Sequence, residues 1–509
     1  MPNMTTLRDV AQAGQPVEAH RPWPRVVLSR DGWEQAIGLL QDAECTLLGL
    51  WGAKRFAHMA LLDAKLGAPS VLSVACENDR FPSVGRRHAP AIRLERAARD
   101  LVGLEPEGLA DTRTWLDHGN WPVGHPLGQT RSAARKPLRY AFLRAEGEGL
   151  HQIPVGPVHA GIIEPGHFRF TANGETIVRL EARLGYVHKG IEALLAGLPP
   201  ERGAVLAGRT SGDSTVAYCL AFAQAVEAAL GYELPPRAIW LRALMAELER
   251  LANHFGDIGA ICNDAAFAML HAQFGLLREL VLRVADRCFG HRLMMDRIVP
   301  GGVRRDLPDD GREAIAALIG HIRRHFPELL ELYDNTASLQ DRTVGTGILD
   351  PELARQFGAG GYVGRASGRA FDARRTPGYP PYDRLQFEVP VLKEGDVNAR
   401  VWIRIREVEQ SLSILDQVLQ QIPPGPIFNP APAQPGAGTR EGIALVEGFR
   451  GDVLVWVQIA GDGNIERCHL RDPSWFQWPL LEAVIEGNIV ADFPLCNKSF
   501  NCSYSGHDL

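Results

Sequence analysis

The chain has 509 residues and a mass of 55.8 kDa; at roughly 100–200 residues per folded unit, that predicts two to four domains. Its 45% hydrophobic and 22% charged residues are ordinary for globular proteins and exclude a disordered or fibrous chain. The 54 Lys plus Arg against 60 Asp plus Glu give a net charge of −6, which excludes a general nucleic-acid binder.

Residues 1–20 carry Arg8, Asp9 and Glu18 and no apolar run, so no secretory signal is predicted. No stretch approaches the ~18 consecutive apolar residues of a membrane span. The expectation is a cytoplasmic protein that meets a membrane only through partners. The eight cysteines (45, 76, 219, 262, 288, 468, 496 and 502) include no Cys-x-x-Cys pair. Buried free thiols, and not a disulfide framework, are expected.

Residues 1–115 read as a small α/β unit. Asp31-Gly32-Trp33-Glu34 opens a helix with Ile37, Leu39 and Leu40, and the apolar runs 45–51 and 71–76 have strand lengths. Residues 116–150, rich in Gly, Pro and Arg, read as a linker. Residues 151–509 form the larger unit. Phe168-Arg169-Phe170, Asn173-Gly174 and Ile177-Val178-Arg179-Leu180 spell a hairpin around an Asn-Gly turn. After Pro235-Pro236, the apolar residues Leu241, Leu244, Leu248, Leu251 and Phe255 step by three and four. A second helix over 397–422 repeats that step with Val401, Ile405, Val408, Leu412, Leu415 and Leu419. Both stripes predict core seams of a helical bundle. Residues 423–438 hold six prolines and predict an extended crossing. Runs 453–459 and 465–470 around Gly461-Asp462-Gly463-Asn464 predict a second hairpin, and 497–509 reads as a polar tail. The fold class is therefore α+β: a small α/β domain, then a mainly helical bundle with peripheral antiparallel hairpins.

Three polar segments stand out. Gly156-Pro157-Val158-His159-Ala160-Gly161 runs into Glu164-Pro165-Gly166-His167. Two imidazoles and a carboxylate in a Gly/Pro-rich loop can exchange protons near neutral pH, and a turn with hydrogen-bonded surface histidines is the plain alternative. Tyr186-Val187-His188-Lys189-Gly190 and Arg209-Thr210-Ser211-Gly212-Asp213-Ser214 are weaker, the latter equally readable as a helix N-cap. The spacing of Cys496 and Cys502 suits neither zinc nor an iron–sulfur cluster.

Taken in order, residues 156–170, 184–192, 247–259, 297–303, 345–349, 363–368, 377–390, Gly395-Asp396-Val397, and Gly448-Phe449-Arg450-Gly451 through Asp472-Pro473 resemble one family. It is the large catalytic subunit of membrane-bound, formate-hydrogenlyase-type nickel–iron hydrogenases, with its relative, the quinone-site subunit of respiratory complex I. Residues 95–104 are similar to the smaller complex I subunit often fused ahead of it.

The resemblance implies a chemistry. Four thiolates from two Cys-x-x-Cys pairs hold nickel and iron beside a small iron–sulfur subunit, because soft ligands suit a redox metal. The first pair's positions fall at Ser211 and Ser214, and the second pair's, after an Asp-Pro, at Ser474 and Gln477. None is cysteine, so this chain is expected to bind no metal or other cofactor. The chain also continues past Gln477 to Leu509 with no maturation-protease site. Glu164 resembles the hydrogenase proton-gate glutamate and Arg450 the arginine over the metal; with Arg209, His188 and Asp472 they are the catalytic candidates. In the complex I manner His159 and His167 are the substrate-binding candidates, for a quinone within NAD-linked electron transport, while the quinone-contacting tyrosine falls at Gly212.

The implied function is a hydrogenase-like large subunit, without nickel–iron, in a membrane-associated electron-transfer complex. A quinone-reducing subunit of the NADH-quinone oxidoreductase type and a non-catalytic scaffold are the alternatives. The implied partners are an iron–sulfur small subunit with a 4Fe–4S cluster, a ferredoxin-like subunit and membrane antiporter-like subunits, on the inner face of the cell membrane.

Overall fold

The structure, a computed structural model, describes residues 6–129, 132–134, 136, 139–160, 162–432 and 438–509. Gly161, part of the linker 116–150 and positions 433–437 of the proline-rich crossing thus lie outside the described residues, as do residues 1–5 of the segment read against a secretory signal.

The apolar runs of the first unit form a sheet against two helices. Its elements are β1 (Arg25–Leu28), α1 (Arg30–Gln41), β2 (Cys45–Ala53), β3 (Phe56–Asp63), β4 (Pro69–Ala75) and α2 (Ile92–Val102). The edge pair Gln15–Pro16 precedes β1, and the strand order continues β1, β4, β3, β2. Only β1 and β4 run parallel, with Arg25 opposite Val71. The Ser29 side chain caps α1 by accepting the Gly32 N–H, and Trp33, Ile37 and Leu40 on the helix are buried.

In the second unit, β5 (Leu150–Val155), β6 (His167–Asn173) and β7 (Thr176–Arg183) make an antiparallel three-stranded sheet. The Asn-Gly turn sits where the sequence predicts it, with Asn173 paired to Thr176. The bundle follows: α3 (Thr215–Leu230), α4 (Pro236–Asp264), α5 (Ala268–Phe289), α6 (Gly311–Asn335) and α7 (Val397–Gln421). Leu241, Leu244, Leu248, Leu251 and Phe255 of α4 are all buried, as are the six apolar residues of the α7 stripe. After the crossing, β8 (Arg440–Glu447), β9 (Asp452–Ile459) and β10 (Ile465–Arg471) form an antiparallel sheet, so the predicted second hairpin gains a third strand.

A fourth strand comes from the other end of the chain. His20–Arg21 pairs parallel with Glu441 and Gly442, and the buried Arg25 guanidinium meets the Glu441 carboxylate at 2.5 Å. Trp51 and Leu62 share a core cluster with Trp456 and Ile443. The two units therefore share apolar contacts.

The expected polar tail is a correction. After α8 (Ser474–Val484), the chain over 497–509 folds as the end of α9 (Phe493–Phe500) and α10 (Tyr504–Asp508), and His507, Asp508 and Leu509 are buried. The reason is pairing: Asp508 accepts the Gly185 and Val187 N–H groups at 2.8 and 3.0 Å. The Leu509 carbonyl accepts those of Lys189 and Gly190. Hydrophilic residues stay buried when each polar group finds a partner.

Candidate functional site

The site is assembled from three turns. The first is the 3₁₀ turn Gly212–Ser214, which leads into α3. The opening N–H groups of α3 lack helical partners, and the Glu249 carboxylate of α4 accepts those of Val216 and Ala217 at 2.7 and 3.1 Å. Burial pushes the Glu249 carboxyl up to about 8, against the lowering effect of those two bonds. Asn253, one turn along α4, donates to the Asp213 carbonyl at 2.8 Å. Two α4 side chains therefore set the position of Ser211-Gly212-Asp213-Ser214.

The second turn joins β8 to β9 and carries Arg450. Gly451 adopts φ +138°, a backbone that glycine tolerates, and an added Cβ would meet the facing backbone of Gly360 and Gly361. Arg450 is buried. It donates to Asp213 Oδ2 at 2.7 Å, to Ser214 Oγ at 3.2 Å and to the Asn501 carbonyl at 2.5 Å. The third turn precedes α10. Ser503 caps that helix by accepting the Gly506 N–H at 2.8 Å, and its own N–H donates to Ser474 Oγ at 2.8 Å.

Where the turns meet, Ser211 Oγ lies 2.9 Å from Ser503 Oγ. The Ser211 hydroxyl gives its proton to Asp213 Oδ1 at 2.6 Å. Ser503 must then donate to Ser211, which completes the chain Ser503–Ser211–Asp213–Arg450. A cavity of about 320 Å³ opens here, lined by Glu164, Ser211, Asp213, Arg450, Cys502 and Ser503 among others. Glu164 is exposed at the mouth and accepts the Ser505 N–H at 2.9 Å. Burial pushes the Cys502 thiol up, so it stays a neutral thiol and not a nucleophilic thiolate.

Among the sequence candidates, Glu164, Ser211 and Arg450 therefore face one cavity, and Ser214 lies beneath it on the Arg450 guanidinium. Asp472 is one layer behind, accepting the Tyr218 hydroxyl at 2.7 Å and the Ser474 N–H at 2.8 Å. Arg209 points elsewhere, forking onto Asp296 at 3.0 and 2.8 Å. His188 donates to the Asp508 carbonyl at 2.7 Å, with its ring against Trp121. His159 approaches the Tyr504 hydroxyl at 3.4 Å, just behind the cavity wall. His167 belongs to a different cavity, on the face of β6.

The two residues read as the second ligand pair lie away from the cavity. Gln477 is buried and spans the Gly360 and Arg450 carbonyls, and neither it nor Ser474 lines the cavity. The residue opposite Ser211 is Ser503, and Ser503-Tyr504-Ser505-Gly506 has the four-residue span of a Cys-x-x-Cys turn. The Asp-Pro at 472–473 misleads because α8 and α9 fold back between it and the cavity. The findable signal was this second turn of small residues, which repeats the four-residue span of 211–214. Asp213, Cys502, Ser503 and Tyr504 were the residues missed.

The donors on this cavity do not fit a nickel–iron centre. The two facing turns offer hydroxyls and a glycine, and a serine hydroxyl is neutral at physiological pH where a soft metal needs thiolate. Among the described residues no cluster of three His, Cys, Asp or Glu side chains has metal-binding geometry.

Comparisons with known proteins bear on both units. Residues 265–441 match the family described as Respiratory-chain NADH dehydrogenase, 49 Kd subunit, and residues 26–136 match Respiratory-chain NADH dehydrogenase, 30 Kd subunit. Formate hydrogenlyase subunit 5 of Escherichia coli (strain K12) is 33% identical over 471 residues, which span 89% of this chain and 82% of that protein. The Carbon monoxide-induced hydrogenase of Rhodospirillum rubrum is 32% identical over 356 residues, spanning 69% of this chain and 97% of its own length. A chain in the structure of the membrane-bound sulfane sulfur reductase, an archaeal respiratory membrane complex, superposes with a TM-score of 0.67 at 28% identity, covering 72% of this chain and all of that one.

Proposed function

The chain belongs to the family of formate-hydrogenlyase-type hydrogenase large subunits and complex I 49 Kd subunits, with a 30 Kd-like unit fused in front, and on that premise we propose that it is the large subunit of a membrane-associated electron-transfer complex that works without nickel–iron. The observation that carries this reading is the hydroxyl contact between Ser211 and Ser503, on two facing turns of the cavity that offer no thiolate pair.

What remains is a charged pocket suited to reducing a small acceptor. Arg450 is a fixed cation, and it favours negative charge developing on a bound acceptor because its donors are already oriented. Glu164, at the mouth, is placed to carry a proton between solvent and the pocket. The solved relative, from a sulfane sulfur reductase, supports an acceptor other than protons. Electrons would arrive from a small subunit holding a 4Fe–4S cluster, fed by a ferredoxin-like subunit. Among the described residues no helix is long and apolar enough to cross a membrane, so attachment to the inner face of the cell membrane would run through antiporter-like partners.

The direct test is metal analysis of the purified complex. Nickel well below stoichiometry is expected, and one nickel per chain would overturn the proposal. Glu164→Gln and Arg450→Ala, assayed for electron flux in the intact complex, should each slow turnover; unchanged flux would instead favour a scaffold role. A second reading, quinone reduction, is favoured by one contact, the 3.4 Å approach of His159 to Tyr504. It predicts quinone-dependent oxidation by the complex, and its absence removes that reading.

A further inference from the structure

A second and larger cavity, of about 680 Å³, lies on the open face of the β5–β6–β7 sheet, away from the serine pocket. Strand register explains its character. His167 stands opposite Arg183 and Arg169 opposite Glu181, and alternation puts all four side chains on one face. Glu181 is consumed elsewhere, by the Arg113 guanidinium at 2.5 Å and the Leu143 N–H at 2.7 Å. Of the four lining arginines, Arg139, Arg144, Arg169 and Arg183, none has a carboxylate within ion-pair distance among the described residues, although the Asp100 carboxylate acts on Arg183 from farther away. Asp117, the wall's carboxylate, accepts the Gly119 N–H at 2.7 Å.

Arg93, Arg96 and Arg113 each have a carboxylate partner, Glu482, Asp111 and Glu181 respectively. Arg183 differs. It is 3% exposed, yet among the described residues its one hydrogen-bond acceptor is the Trp115 carbonyl. Its guanidinium lies 4.5 Å over the Tyr140 ring, and that of Arg169 lies 4.5 Å over Phe142. Stacking fixes both planes, and Arg169 donates to neutral acceptors, His167 Nε2 at 3.4 Å and Gln152 Oε1 at 3.3 Å. Burial pushes the Arg183 guanidinium down to about 10, still protonated at neutral pH. Burial lowers the His167 imidazole pKa, against the raising effect of its Nδ1–H bond to the Gly156 carbonyl at 3.1 Å, and its Nε2 accepts the Arg169 Nε–H.

We propose that this cavity is a binding site for a small, multiply charged organic anion, a polycarboxylate or a phosphate ester, held by Arg169 and Arg183 on the sheet face and by Arg144, which also lines the cavity. A buried guanidinium without a counter-charge is costly unless an anion completes it, and planar forked donors match carboxylate and phosphate oxygens. The volume lies within the range of small-ligand sites. Diagonal positions on paired strands stand roughly 7–8 Å apart, which suits two oxyanion groups on one molecule.

The test is calorimetric titration of the full chain at low salt with citrate and with pyrophosphate as probes. Saturable one-site binding by at least one probe is expected, and the tighter probe identifies the class. Arg169 is half-buried, so Arg169→Gln should fold, and it should weaken binding about tenfold. Arg183→Lys should weaken it as well, whereas Arg323→Gln, at the surface ion pair with Asp416, should leave it unchanged. Absence of saturable binding to both probes, or equal affinity in wild type and Arg169→Gln, would overturn the proposal.

Discussion

The hydroxyls of Ser211 and Ser503 stand 2.9 Å apart although 292 positions separate them in the chain. This contact draws the C-terminal helix over the turn that opens α3, and it holds Ser503 where it can cap α10. Ser503→Ala removes both the cap and the donor to Ser211. The expected cost is about 1 kcal/mol, read as a lower denaturant midpoint with an unchanged slope.

Gly506 should tolerate no side chain. A Cβ there would stand 2.4 Å from Asp472 Oδ2, and that carboxylate cannot retreat, being held by Tyr218 and the Ser474 N–H. Gly506→Ala is expected to cost about 1–3 kcal/mol. Restoring thiols at 211, 214, 503 and 506 together should therefore give an unstable protein, not a nickel site, and thermal unfolding of the single and quadruple variants checks this.

Arg450 binds three chain segments together through Asp213, Ser214 and Asn501. Arg450→Met leaves Asp213 without its cation and a buried carbonyl without its donor. A loss of about 2–4 kcal/mol is expected. Arg450→Lys should recover only part of it, since one ammonium cannot reach all three acceptors. Chemical denaturation of the three proteins compares them directly.

Glu249 ties stability to pH. Its carboxyl is pushed up to about 8 in the folded chain, whereas an unfolded glutamate titrates near about 4.3. Between those values the folded state holds a proton that the unfolded state has released. This group's stabilising share is therefore complete below about 4.3, falls as pH rises, and is lost above 8. Glu249→Gln does not titrate, so its unfolding midpoint should fall less steeply between pH 5 and 8 than that of the wild type. Glu95, pushed up to about 7 by burial, keeps its own share of the slope in both proteins.

Asp508 is the anchor of the chain end. It accepts N–H groups from Gly185 and Val187 and the Nδ1–H of His507, whose Nε2 in turn accepts the Trp115 indole N–H at 3.2 Å. Asp508→Ala strands those buried donors, and a loss of about 3 kcal/mol or more is expected. Loss of hydrogen-exchange protection across 185–190 should accompany it.

The long helices were legible because burial of an apolar stripe repeats at the helical period, which a linear chain displays openly: Leu241 to Phe255 in α4 and Val401 to Leu419 in α7. The hairpin at Asn173-Gly174 was legible because few residue pairs accept that turn. Less was readable where a strand's partner lies far away. The pairing of His20–Arg21 with β8 depends on no local pattern. The tail was misread for the same reason, since the groups that satisfy Asp508 and His507 come from residues 115 to 187.

Sequence by itself determined the family, the α+β class, the bundle helices and the absence of any Cys-x-x-Cys pair, because each is written in residue types at fixed local spacings. Only the tertiary structure decided which polar residues share a cavity. It joined Glu164, Ser211 and Arg450 to Ser503, sent Arg209 and His188 elsewhere, and left Arg169 and Arg183 beside the other cavity with no carboxylate in ion-pair contact among the described residues. Those outcomes turn on hydrogen bonds and ion pairs between distant segments, and such pairing is decided by packing, not by spacing along the chain.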